Sequence, residues 1–177
     1  MVLEFPVPFA PSFYGLDFSE LPALIGAFAY GPVAGVMIEF CKILIKLVLK
    51  PSSTAFVGEL ANFSISCMLV LPASVIYLFK KSRKQAILGT VVGTLIMTAF
   101  GSCFNAIYLL PKFSELYGIP LDAIIGMGTA INPAIHSISG LVLMCVVPLN
   151  LLKGGLVSLI TILVYKKLSP ILKAAHK

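Results

Sequence analysis

Lys153 is the residue with the most chemistry to offer. It stands between two apolar stretches, with Asn150 three positions before it and Gly154-Gly155 after it. Residues three apart share a helix face, so an ammonium with three donors lies beside an amide that both donates and accepts. That pair suits a neutral ligand bearing carbonyls or several hydroxyls. An ion pair with Glu59, tying two helices together, accounts for the same lysine. Glu59 stands with Asn62 in GELANF at 58–63, and a carboxylate in the first turn of a helix is favoured by the helix dipole. Asn105 and Tyr108, one turn apart, read either as pocket residues or as a helix-packing amide and an interface aromatic.

Glu39, Lys42, Lys46 and Lys50 recur at three- and four-residue spacing and share one helix face. A charge at mid-bilayer costs at least ~2.5–3.5 kcal/mol, so these side chains face protein or water. One reading is a Glu39–Lys42 pair with Lys46 and Lys50 reaching the outer surface; the other is a polar substrate pocket. Nothing points to catalysis or to metal. The chain lacks a Walker A loop, GxSxG, HExxH and closely paired cysteines. Cys41, Cys67, Cys103 and Cys145 read as small apolar residues.

The elements that must carry these groups are set by composition. Of 177 residues, 59% are hydrophobic and only 11% charged, against roughly 25% charged in soluble chains. A net charge of +6, clustered at loops and the chain end, does not argue for nucleic acid. Charge-free runs cover 21–38, 60–79, 85–111 and 123–152, and a bilayer needs ~20 helical residues per span. The reading is an all-α integral membrane protein, one transmembrane domain over 1–177 with about five spans. An outer loop fills 1–20, and two helices over 21–49 are broken at Gly31-Pro32. Helices follow at 57–79 and 85–110. An outer loop and broken helices then occupy 111–148, where Pro133 and Pro148 interrupt, and the last helix is 149–167.

Lys80, Lys81, Arg83 and Lys84 form one short loop, and Lys166, Lys167, Lys173 and Lys177 follow the last span. The positive-inside rule puts both clusters in the cytoplasm, which makes this a multi-pass protein of the cell membrane with a cytoplasmic C-terminus. The start lacks the pattern of a signal peptide. An outward N-terminus opposite an inward C-terminus is an odd count, so either the protein begins outside or a first helix is missing.

Several strings together resemble a known family. LEFPVPFAPSF at 3–13 is followed by LDFSELPALIGAF at 16–28, YGPVAG at 30–35, GELANF at 58–63, PLNLLKGG at 148–155 and YKKLSP at 165–170. In this order they are similar to the riboflavin-specific substrate-binding subunit of energy-coupling factor (ECF) transporters. The resemblance covers nearly the whole chain, and DFS-x-x-PAL with N-x-x-K before glycine are its most specific parts. It implies a six-helix membrane subunit that binds riboflavin on the outer side. A separate transmembrane coupling subunit and two ATPases would drive uptake, without a covalently bound cofactor. The family's first helix, which contacts the coupling subunit, has no counterpart ahead of residue 3, which puts coupling in doubt. Carried over by motif, Asn150 and Lys153 become ligand contacts and 11–19 a gating loop. Asn105 and Tyr108 carry over more loosely, by position. Glu59 belongs to the same candidate set, and Phe13, Tyr14 and Tyr108 are candidate contacts for the flavin ring. The alternatives are a subunit of this architecture for another vitamin or precursor, and a stand-alone channel or structural membrane protein.

Overall fold

The computed structural model describes residues 5–174 apart from residues 12 and 53. The basic side chains at 166, 167, 173 and 177 lie outside what it describes. The long apolar helices form where charge is sparse. α1 covers Glu20–Tyr30, α2 Pro32–Leu49, α3 Val57–Phe79 and α4 Arg83–Phe104. α5 (Leu110–Tyr117), α6 (Leu121–Thr129), α7 (Ile138–Leu141) and α8 (Val147–Ala174) complete the order. Two short strands, β1 (Phe5–Pro6) and β2 (Gly15–Leu16), pair antiparallel and fold the N-terminal segment back on itself.

Among the described residues, three helical stretches are long and apolar enough to cross a membrane: Val57–Phe79, Arg83–Tyr117 and Ile138–Val164. α1, at 11 residues, reaches only about 16 Å of the ~30 Å hydrocarbon layer. α2 carries Glu39, Lys42 and Lys46 and so is not uniformly apolar. The two meet as an antiparallel hairpin at Gly31, whose φ of 98° a side chain rarely tolerates.

The expected outer loop from 111 and the expected helix break at Pro148 are both corrected. Helix runs through Pro111 to Tyr117, and the last helix begins ten residues before Pro148, at Ile138. A proline ring clashes with the carbonyl four residues back. Those carbonyls belong to Ile107 and Met144, and each sits in a five-residue π turn, Asn105–Leu109 or Val142–Val146. The wider turn accommodates the ring without ending the helix. Pro133 does interrupt, and no helix spans 131–137.

α3 and α4 meet closely because α4 carries Gly89 and Gly93 four residues apart. A Cβ at either position would lie 2.5 Å from a backbone carbonyl of α3, Ala73 or Leu69. Small residues at such spacing let membrane helices approach. Gly93→Leu is therefore expected to cost about 1–3 kcal/mol through overpacking. Gly155→Ala, which meets open space, should leave the unfolding temperature in detergent unchanged or raise it. Equal behaviour of the two variants would count against this close approach.

Among the described residues two larger apolar cores result, beside a small cluster of Ala23, Ala27 and Val70. One joins α1, α3, α4 and α8 around Leu24, Phe28, Leu69, Tyr77, Met97 and Val157. The other sets Ala10, Tyr14 and Leu16 of the N-terminal segment against Leu110, Ile124, Ile135, Leu141 and Leu149. That second core anchors the segment as a cover over one end of the bundle.

Candidate functional site

Between these cores lies a string of buried charges. Lys153 of α8 reaches Glu20 at 2.7 Å and Asp17 at 3.3 Å. Glu20 also meets Lys42 of α2 at 3.4 Å, and Lys42 pairs with Glu39 at 2.5 Å. Signs alternate along the chain of contacts, and Glu20 and Glu39 are fully buried. Membrane burial permits charges only in such pairings. Lys153 thus has ion-pair partners, but not the expected one. Glu59 is instead taken by Lys46, and it accepts further bonds from Ser52 at 2.8 Å and Thr54 at 3.0 Å.

Glu20 opens α1 where the dipole favours a carboxylate. Its Oε1 also accepts from Ser66 of α3 at 2.8 Å. Asp17 lies just ahead, with the Ser19 hydroxyl donating to it at 2.8 Å. Burial works to raise the Asp17 carboxyl, yet Lys153 and the Ser19 hydroxyl hold it well below the usual carboxylate range. Asp17 therefore stays charged beside Lys153. Sequence reasoning missed Asp17 and Glu20 as site residues. The signal was present in DFSE, two carboxylates bracketing a helix start directly ahead of an apolar run.

The amides form a second polar group. Tyr14 donates to Asn105 Oδ1 at 2.8 Å, and Asn105 Nδ2 donates to the Gly101 carbonyl at 2.7 Å. Burial pushes the Tyr14 phenol up from its ordinary value, so it serves as a neutral donor. Asn150 stands against the same glycine: a Cβ on Gly101 would be 2.8 Å from Asn150 Nδ2. Asn150 Nδ2, Asn62 Oδ1, Ser102 Oγ and Glu20 Oε2 are buried without a hydrogen-bond partner among the described residues. Buried polar groups are nearly always paired, so each exception asks for an explanation.

The structure thus brings Tyr14, Asn105, Asn150 and Lys153 into the interior. Phe13 and Glu59 line a cavity of about 240 Å³ with Asp17, Lys46, Asn62 and Phe113. Asp17 joins that cavity to the charged string. Phe13 packs on Tyr14 with ring centroids 4.6 Å apart and meets Phe113 edge-on. Tyr108 is not brought to the group; it is 40% exposed and lies against Phe104. A larger groove, about 800 Å³, is apolar except for Asp17, Ser19, Lys42 and Lys46. Its Met37 and Ile45 are exposed apolar residues of the kind a bilayer covers.

Residues 1–165 match the family described as ECF transporter, substrate-specific component. The riboflavin transporter RibU of Staphylococcus aureus (strain TCH60) is 33% identical over 171 residues, 97% of this chain and 83% of the relative. The riboflavin transporter FmnP of Bacillus subtilis (strain 168) is 31% identical over 173 residues, 96% of this chain and 84% of the relative. A solved S component of a bacterial ECF transporter superposes with a TM-score of 0.70 at 34% identity, covering 96% of this chain and 86% of that one. The chain is a membrane protein without a catalytic role, and it belongs to the substrate-specific components of ECF transporters.

Proposed function

We propose that this chain binds riboflavin from the outer side of the membrane as the specificity subunit of an ECF-type, ATP-driven transporter. The observation that carries the reading is a pair of unpartnered buried atoms next to Lys153: Asn150 Nδ2 one helical turn away and Glu20 Oε2 on its ion-pair partner. Apolar pockets with a few placed polar groups are the usual sites for ligands of this kind, and flavin has both an apolar stackable ring and a polar edge. Asn150 and Lys153 are proposed as polar contacts. Asn105 orients Tyr14, and Phe13 and Tyr14 offer faces to the ring. The cavity of about 240 Å³ is lined by Phe13 and Asp17 but not by Asn150 or Lys153, and it falls below the roughly 300–1,000 Å³ of ligand sites, so a ligand reaching Lys153 requires the segment carrying Phe13 and Asp17 to shift.

The basic loop at 80–84 orients the C-terminus to the cytoplasm. ATP hydrolysis falls to separate ATPases, linked through a transmembrane coupling subunit, since this chain carries no phosphate-binding glycine loop. Detergent-purified protein titrated with riboflavin is expected to quench flavin fluorescence. Absence of quenching, with binding of thiamin or biotin in the same titration, would move the assignment to another vitamin. Riboflavin uptake by proteoliposomes holding this chain alone would favour a channel.

A further inference from the structure

We propose that Glu20 is a specificity-determining residue of this site, accepting a hydrogen bond from the imide N–H of the flavin ring. The proposal rests on the riboflavin reading above. Glu20 is fully buried, and its two oxygens are treated unequally. Oε1 receives Lys153 at 2.7 Å, Ser66 at 2.8 Å and Lys42 at 3.4 Å. Oε2 has no hydrogen-bond partner among the described residues. A buried carboxylate oxygen left unsatisfied is costly, and a ligand donor would relieve it.

The neighbouring groups say which donor. Asn150 Nδ2 is a buried donor equally without a partner. Lys153 lies one helical turn from Asn150 and touches Glu20, so it links the two. Asn150 and Lys153 offer two donors and Glu20 Oε2 one acceptor within this cluster. The pyrimidine edge of an isoalloxazine presents the complement: carbonyl, imide N–H, carbonyl. Ribityl hydroxyls rotate and both donate and accept, so they do not require an acceptor of fixed sense. A carboxylate is also the stronger acceptor, because a charged partner strengthens the bond. Replacing Glu20 by Gln sharpens the test. Lys153 and Ser66 both need an acceptor, so they retain the amide oxygen and leave the NH₂ group where Oε2 was. Donor then faces donor.

The experiment compares riboflavin with its N3-methyl derivative by fluorescence quenching, on the full chain and on Glu20→Gln. The unaltered protein is expected to bind the methylated flavin about 10- to 150-fold more weakly, the size of one charge-assisted hydrogen bond. In Glu20→Gln most of that gap should close, because riboflavin weakens while the methylated flavin barely changes. A gap of the same size in both proteins would show that Glu20 only holds Lys153 in place, and would overturn the proposal. So would equal affinity for the two flavins in the unaltered protein, a result that needs no variant. If Glu20→Gln does not fold, Glu20→Asp gives the same ratio, since it keeps the charge and withdraws the oxygens by one methylene. Failure of the unaltered chain to bind riboflavin at all would instead remove the functional reading.

Discussion

Lys153→Met is expected to lower the stability of the detergent-solubilised protein by about 3–5 kcal/mol, because it removes the cation that two buried carboxylates share. Glu20 is 0% and Asp17 3% exposed, and both lose their shared cation when the ammonium goes. The same change should weaken riboflavin binding about 10- to 150-fold, the loss of a charged hydrogen-bond donor. Thermal unfolding and fluorescence titration of one preparation read the two effects separately. A combined variant, Asp17→Asn, Glu20→Gln and Lys153→Met, removes the charges of both carboxylates along with the lysine. Replacing buried ion-pair partners together is often near neutral, and Lys42 keeps Glu39, so stability should recover in large part while affinity, deprived of both proposed contacts, does not. Recovery of both would end the ligand reading for Lys153 and leave it a tie between helices.

Much of this was legible in the residues. Charge-free runs marked the helices because the bilayer, like the core, excludes charge. The Glu39–Lys42 pair forms at the three-residue spacing that put both on one face. The partner of Lys153 was not legible. Glu59 and Glu20 both open helices, and only the hairpin at Gly31 decides which of them faces α8. That hairpin turns α2 so that Lys46 meets Glu59, which leaves Lys153 to Glu20 and Asp17. The continuity of helix through Pro111 and Pro148 was hidden for another reason. Proline is an interior breaker in an α-helix, but a π turn ahead of it shifts the clashing carbonyl. No residue type announces such a turn. That Asn150 Nδ2 and one oxygen of Glu20 are buried without a hydrogen-bond partner among the described residues is a property of three-dimensional surroundings alone.

Lys46→Met should destabilise the protein on a similar scale, about 3–5 kcal/mol for one partner of a buried pair, without the loss of ligand affinity. Glu59 is 4% exposed, and its carboxylate is fully engaged: Lys46 holds Oε1, while Ser52 and Thr54 donate to Oε2. Those hydroxyls also shape the connection into α3. Ser52 Oγ accepts the Phe56 N–H at 2.9 Å and Thr54 Oγ1 the Gly58 N–H at 3.0 Å. Between them, Ala55 and Phe56 sit at φ of 46° and 67°, a left-handed conformation that costs of order 1–3 kcal/mol per residue and persists only where the surroundings enforce it. Once the ammonium is gone, the carboxylate draws away toward water and the two hydroxyls lose their acceptor. The strained residues are then free to relax. Limited proteolysis should therefore cut within 50–56 faster in Lys46→Met than in the unaltered protein, alongside the lower unfolding temperature. Riboflavin affinity per folded molecule should hold, even though Lys46 and Glu59 border the cavity, because the Glu59 carboxylate is already engaged by Lys46, Ser52 and Thr54. Weakened binding with unchanged stability would reverse this assignment and return Glu59 to the set of ligand contacts.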